Sequence, residues 1–180
     1  AMFAFSLAFQ MTGRYIPEYM RLLGASAGVI GLYGSVGNLI GAVYPYPGGA
    51  LSDRIGSRLS LTAFGLISTA GFGVWWLAPN FSAVSLGRVA VPVWVWIFVG
   101  LFLSQSWKSF GLGATFAIVK QSVPPNRLAA GFASTETFRR IGFLVGPLLA
   151  ATILALTPTF VGGFQLVLLV AIGFGAVATI

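Results

Sequence analysis

Gly49-Ala50-Leu51-Ser52-Asp53-Arg54-Ile55-Gly56-Ser57-Arg58 is a short charged run between two long stretches that carry no charge. Asp53, Arg54 and Arg58 cannot rest in hydrocarbon without partners. A turn in water at a membrane surface accommodates them, and its arginines mark which surface. Working outward, Leu22 to Ser52 is uncharged on one side, and no charge follows Arg58 until Arg88 on the other. Each stretch has room for the roughly 20 apolar residues that a membrane-crossing helix needs.

The rest of the chain has the same character. It is 57% hydrophobic, with a mean hydropathy of +0.93, and only 7% of its residues are charged. A soluble domain carries about 25% charged residues to keep its surface wet, so lipid is the solvent this composition fits. Hydrocarbon requires every backbone polar group to be paired internally, which leaves helices or a closed barrel. The apolar blocks are far longer than the roughly ten alternating residues of a barrel strand, so they read as helices. The net charge of +7 comes from basic residues scattered at segment ends, without a basic patch interleaved with aromatics; this argues for lipid-facing anchors and against nucleic acid. There is no cysteine and no histidine, which leaves no expected metal site, haem or disulfide and no histidine proton carrier. Proton coupling in this chain would use Glu18, Asp53 or Glu136. No cleavable leader is read at the start.

The spacing predicts one domain, 1–180, of six helices at about 1–20, 27–47, 59–78, 93–120, 128–156 and 160–180, broken at Pro17, Gly24, Gly56, Pro79, Pro124-Pro125 and Pro158. Counting basic residues in the turns gives a modest excess (Arg54, Arg58, Lys120, Arg127) on the side of the Asp53 run. That side, with both chain ends, is expected to be cytoplasmic. Gly31, Gly34, Gly37 and Gly41 line the second helix, and Gly142 and Gly146 the fifth. Small residues at such spacing let helix backbones meet in lipid; they serve static packing or faces that slide in a transport cycle.

Several segments together resemble the amino-terminal half of a major facilitator superfamily transporter. Gly49, Leu51, Ser52, Asp53, Arg54, Gly56 and Arg58 match the superfamily's signature G-x-L-[AS]-D-R-x-G-x-[RK] at every defined position. Pro17 to Ser26 resembles the end of the family's first helix and its outer loop. Lys108 to Ala114 resembles the fourth-helix motif R-x-x-x-G-x-G-A, with lysine in place of arginine. Gly142-x-x-x-Gly146-Pro147, preceded by Arg139-Arg140, resembles in part the fifth-helix motif of the antiporter branches; Leu149-Ala150-Ala151 departs from it. The resemblance implies an all-α membrane fold with a 3+3 helix repeat and no enzymatic activity. It also implies that Gly49, Asp53, Arg54, Gly56 and Arg58 form a cytoplasmic gate loop; from the residues themselves, Asp53 is expected at a helix start, which its charge favours.

Lys108 lies deep in the fourth helix, where a charge is costly unless it is paired, snorkels to an interface or faces a water-filled cavity. With Arg14, Glu18, Tyr33, Asn38 and Gln105 it makes the candidate substrate and proton cavity; Tyr15, Tyr44 and Trp107 also suit one. Arg14 and Glu18 have the spacing of an i, i+4 pair. Glu136 with Arg139 and Arg140 reads as an interfacial cluster or as part of the gate. Trp75, Trp76, Trp94 and Trp96 read as an interface belt. The functional expectation is a secondary carrier in a bacterial inner or plasma membrane, coupled to protons and exporting a small molecule, without cofactor. An uncoupled facilitator and a non-transporting sensor or assembly module are the alternatives. The partner is a second six-helix half, in the same polypeptide or as a homodimer mate. A chain that begins and ends inside apolar helices points to a piece of a longer protein.

Overall fold

A computed structural model describes residues 2–81, 85–86, 89–108 and 112–179. The described residues form helices α1 (Met2–Gly13), α2 (Ile16–Leu22), α3 (Ala27–Val43), α4 (Pro45–Ile55), α5 (Ser57–Leu77), α6 (Trp94–Ser106), α7 (Leu112–Ser122), α8 (Leu128–Ala155) and α9 (Phe160–Thr179). After α5 comes a short 3-10 turn, Ala78–Phe81, and then a two-residue antiparallel pair, β1 (Ser85–Leu86) with β2 (Val89–Ala90). The fold is all-α, and this pair only decorates a connection.

Among the described residues, three helical stretches are long and apolar enough to cross a membrane: Ser57–Phe81, Pro125–Ala155 and Phe160–Thr179. A fourth crossing is available if α3 and α4, bent by 42° at Tyr44, are taken together. The signature run is therefore helical rather than a loop. Pro45 lacks an N–H, but the first turn of a helix has no use for one, so α4 restarts at once with Gly48 N–H bonding Tyr44 O at 3.0 Å. The helix then continues through Asp53, because a backbone near hydrocarbon must keep its hydrogen bonds within the helix. Gly56 breaks it with φ +89°, a conformation that costs glycine little and other residues much. Asp53 thus sits in the last turn of α4 and not at a helix start. There the helix dipole disfavours it and favours its neighbour Arg54.

The first expected helix is also broken. Pro17 cannot donate to the Gly13 carbonyl and its ring crowds that carbonyl, so α1 ends at Gly13 and α2 starts at Ile16. Glu18 then turns away from Arg14 and bonds Arg21, with Nε to Oε2 at 2.8 Å. The fourth expected helix is described in two pieces, α6 and α7, with a wide, π-type turn at Trp107 and Lys108. Residues 109–111 of its motif lie outside the described residues, as does Arg88.

Close glycine contacts set how the long helices lie. Gly142 abuts Ser6 and Leu7, and Gly146 abuts Leu7, Gln10 and Met11, so α1 and α8 run parallel. Gly71 meets Ser104 while Trp75 Nε1 donates to Ile97 O at 2.9 Å, which makes α5 and α6 antiparallel. The α5–α6 seam is fastened again where Ser68 Oγ donates to Ser104 O at 2.8 Å. Such interhelical bonds contribute about 0.6 kcal/mol each in lipid, less than the packing they accompany. The core lies among α1, α2, α5 and α9. Tyr19, fully buried, packs its ring at a tilt against Phe164 with centroids 4.7 Å apart and donates to Trp75 O at 3.1 Å. Trp75 is 2% exposed, so it belongs to this core and not to an interface belt.

Candidate functional site

The α3–α4 pair leans on the core at few points, with Ile40 the only fully covered residue of α3. Between it and the core opens a cavity of about 750 Å³. One stripe of α3 and α4 forms one wall: Gly34, Gly37, Asn38, Gly41, Pro45 and Gly49. These positions recur at three and four residues, so they share one helix face across the bend. Its four glycines have no side chain, which holds the wall back. The opposite wall is built by Phe9, Gln10 and Thr12 of α1, Ser104 and Gln105 of α6, and Phe143 of α8.

Arg14 reaches the cavity from the break between α1 and α2, which Pro17 creates. Lys108 reaches it from the wide turn after α6, and Arg139 reaches it from α8. Arg14 and Lys108 are exposed and make no ion pair among the described residues. Arg139 is held by Glu136, with Nε to Oε2 at 2.8 Å, and its guanidinium lies 5.2 Å from the Phe143 ring centroid. Arg140 bonds the same carboxylate at 2.9 Å.

Gln105 is 7% exposed; its Nε2 donates to Gly37 O over a long 3.5 Å, and its Oε1 has no partner among the described residues. Trp107 is stacked on Phe5 with centroids 4.5 Å apart, and its indole Nε1 is buried without a partner among the described residues. Tyr33 packs edge-on to Phe98.

Arg14, Tyr33, Asn38, Gln105 and Lys108 therefore come together around one space, and Glu18 does not join them. Of the signature residues only Gly49 lines the cavity; Asp53, Arg54 and Arg58 stand exposed where α4 meets α5, without an ion pair among the described residues. Gly142 and Gly146 pack α8 on α1, while Tyr15 Oη donates to the carbonyl of Pro147 at 3.1 Å. Tyr15 and Tyr44 do not line the space. Gln10, Thr12 and Ser104 line it but were not singled out from the sequence. Gln10 carried a usable signal, a polar residue one helical turn before Arg14 in an apolar helix.

A family model described as Major Facilitator Superfamily matches residues 1–180, the whole chain. The chain belongs to the major facilitator superfamily. It is 27% identical over 179 residues to an uncharacterized MFS-type transporter of Mycobacterium tuberculosis strain H37Rv, and to the same degree to its counterpart in strain CDC 1551. In each case the alignment takes in 99% of this chain and 38% of the relative, so the chain spans well under half of their length. No solved structure matches it. The family is one of membrane transporters and not of enzymes, and its apolar helices make this chain an integral membrane superfamily member.

Proposed function

We propose that this chain is the six-span half of an alternating-access carrier, with a small-molecule substrate held in the 750 Å³ cavity. The spans are α1 with α2, α3 with α4, α5, α6 with α7, α8, and α9. The observation that carries this reading is the cavity itself: five charged or polar candidates predicted separately from sequence meet around it, on a face that a second half can cover. That second half is supplied by the same polypeptide or by a second copy. The proposed setting is a bacterial inner membrane with the α4–α5 corner and both chain ends in the cytoplasm. Exposed and without an ion pair among the described residues, Asp53, Arg54 and Arg58 are available to lock that side against the other half, and the Glu136 cluster joins them at the gate.

Export coupled to protons is the proposed cycle, supported by the likeness of the fifth-helix run to the antiporter motif. Glu136 is the acid nearest the cavity, because it holds the lining residue Arg139. An uncoupled facilitator is the second reading, favoured by one observation: none of the three acids lines the cavity. The natively expressed protein, reconstituted in vesicles under an imposed pH gradient, separates the two. Coupled export gives flux that collapses with a protonophore; flux that ignores the protonophore establishes the facilitator; no flux in either condition overturns the carrier.

A further inference from the structure

We infer that the cavity selects an organic anion with a flat apolar body; the inference rests on the carrier reading and adds the substrate class. Three cationic side chains, Arg14, Lys108 and Arg139, reach the space, and no carboxylate lines it. Arg14 and Lys108 have no carboxylate partner among the described residues, so their field is not cancelled locally. Arg139 does share Glu136, but that carboxylate stays behind the wall. Cations facing a membrane cavity need water or an anion to be tolerable, and a narrow low-dielectric cleft strengthens the attraction to an anion.

Two buried atoms on the lining point the same way. The indole Nε1 of Trp107, 3% exposed, is a donor with no acceptor among the described residues, and an anionic oxygen would satisfy it once the ring shifts to open that atom to the cavity. The amide of Gln105, 7% exposed, has a free oxygen and only a long bond on its nitrogen, so it can turn to serve a neighbouring polar group on the same ligand. Phe9 and Phe143 offer ring surface for the rest of the molecule, and the volume falls in the range of small-molecule sites. A cationic amphiphile would meet the same rings but the two uncompensated like charges of Arg14 and Lys108.

The charges are also spread out. Because α1 and α8 are parallel with Gly142 beside Ser6 and Gly146 beside Gln10, Arg14 lies about one turn beyond one end of that contact and Arg139 about one turn before the other. The two cations therefore lie toward opposite ends of that contact.

The test uses three probes with one ring system: naphthalene-2-carboxylate, naphthalene-2-carboxamide and 2-naphthylmethylammonium. Each is titrated calorimetrically into the natively expressed protein in detergent, with micelles alone as blank, and each is offered for flux in vesicles. The carboxylate should bind at least about tenfold tighter than the other two. Lys108→Gln and Arg14→Gln should each erase about tenfold of that preference, Lys108→Arg should keep it, and Lys120→Gln, an exposed charge off the cavity, should leave it unchanged. Equal or tighter binding of the amide or the ammonium, or no binding of the carboxylate, overturns the anion site. Carboxylate binding without any flux defeats the carrier and leaves the anion site standing. Flux of all three probes without preference does the reverse.

Discussion

Gly142 and Gly146 on α8 and Gly34, Gly37 and Gly41 on α3 have similar small-residue spacing in apolar stretches of helix, yet they end in opposite surroundings. A Cβ added at Gly146 would lie 2.9 Å from both the Cβ of Gln10 and the carbonyl oxygen of Leu7. On α5, a Cβ at Gly71 would lie 2.6 Å from the amide nitrogen of Ser104. These are backbone-to-backbone seams, closed by dispersion and hydrogen bonds. On α3 a Cβ at Gly34 or Gly41 would meet nothing within 4 Å, and one at Gly37 would make an ordinary 3.5 Å contact with Gln105. The first set holds helices together. The second set holds a wall back and leaves a cavity. Sequence spacing licenses a close approach, and only the neighbouring helix decides whether it is used.

Substitutions break this contrast in a defined order. Gly146→Leu should have the largest effect: its branched side chain has only the α1 backbone to enter, and little folded, monodisperse protein should be recovered by size exclusion in detergent. Gly71→Ala should cost about 1–3 kcal/mol, the usual penalty of overpacking, read as a lower melting temperature. Gly34→Ala should be neutral or stabilising by up to about 1 kcal/mol, since alanine is the better helix former, while flux changes because the methyl enters the cavity. A Gly34→Ala loss as large as that of Gly71→Ala would mean that the α3 stripe is packed in the working protein, by the second half or a second copy, and the contrast would dissolve. Asp53→Asn should be the mildest for stability, within about 0.5 kcal/mol for so exposed a side chain. Its expected signature is conformational: more reaction of cysteine probes placed on the cytoplasmic side, as the gate relaxes toward inward-open. Unaltered labelling would remove the gate role from Asp53.

The site was partly legible for an identifiable reason. Arg14, Lys108, Gln105, Tyr33 and Asn38 are polar or charged residues inside apolar stretches, and the cost of placing them in lipid marks them without any structure. Glu18 carried the same mark but was misplaced. Its i, i+4 spacing to Arg14 has meaning only on an unbroken helix, and Pro17 breaks it, leaving Arg21 three residues away as the partner. Trp75 was misread because a tryptophan near a helix end has the same sequence appearance whether it faces headgroups or a neighbouring helix. Here its indole N–H finds Ile97 O on α6, and its ring joins Phe72 in the core.

The sequence by itself determined the solvent, the secondary structure and most of the break points, because each is local or compositional. A 7% share of charged residues can wet no surface, backbone groups in lipid must pair within the segment, and Pro17 and Gly56 interrupt the ladder wherever the rest of the chain goes. The tertiary structure alone decided which glycine stripe closes and which stays open, which carboxylate each arginine meets, and that three cations share one acid-free cavity. Those outcomes depend on how helices far apart in the chain cross. Lipid supplies no hydrophobic penalty to distinguish one apolar face from another, so shape and packing between segments make the choice.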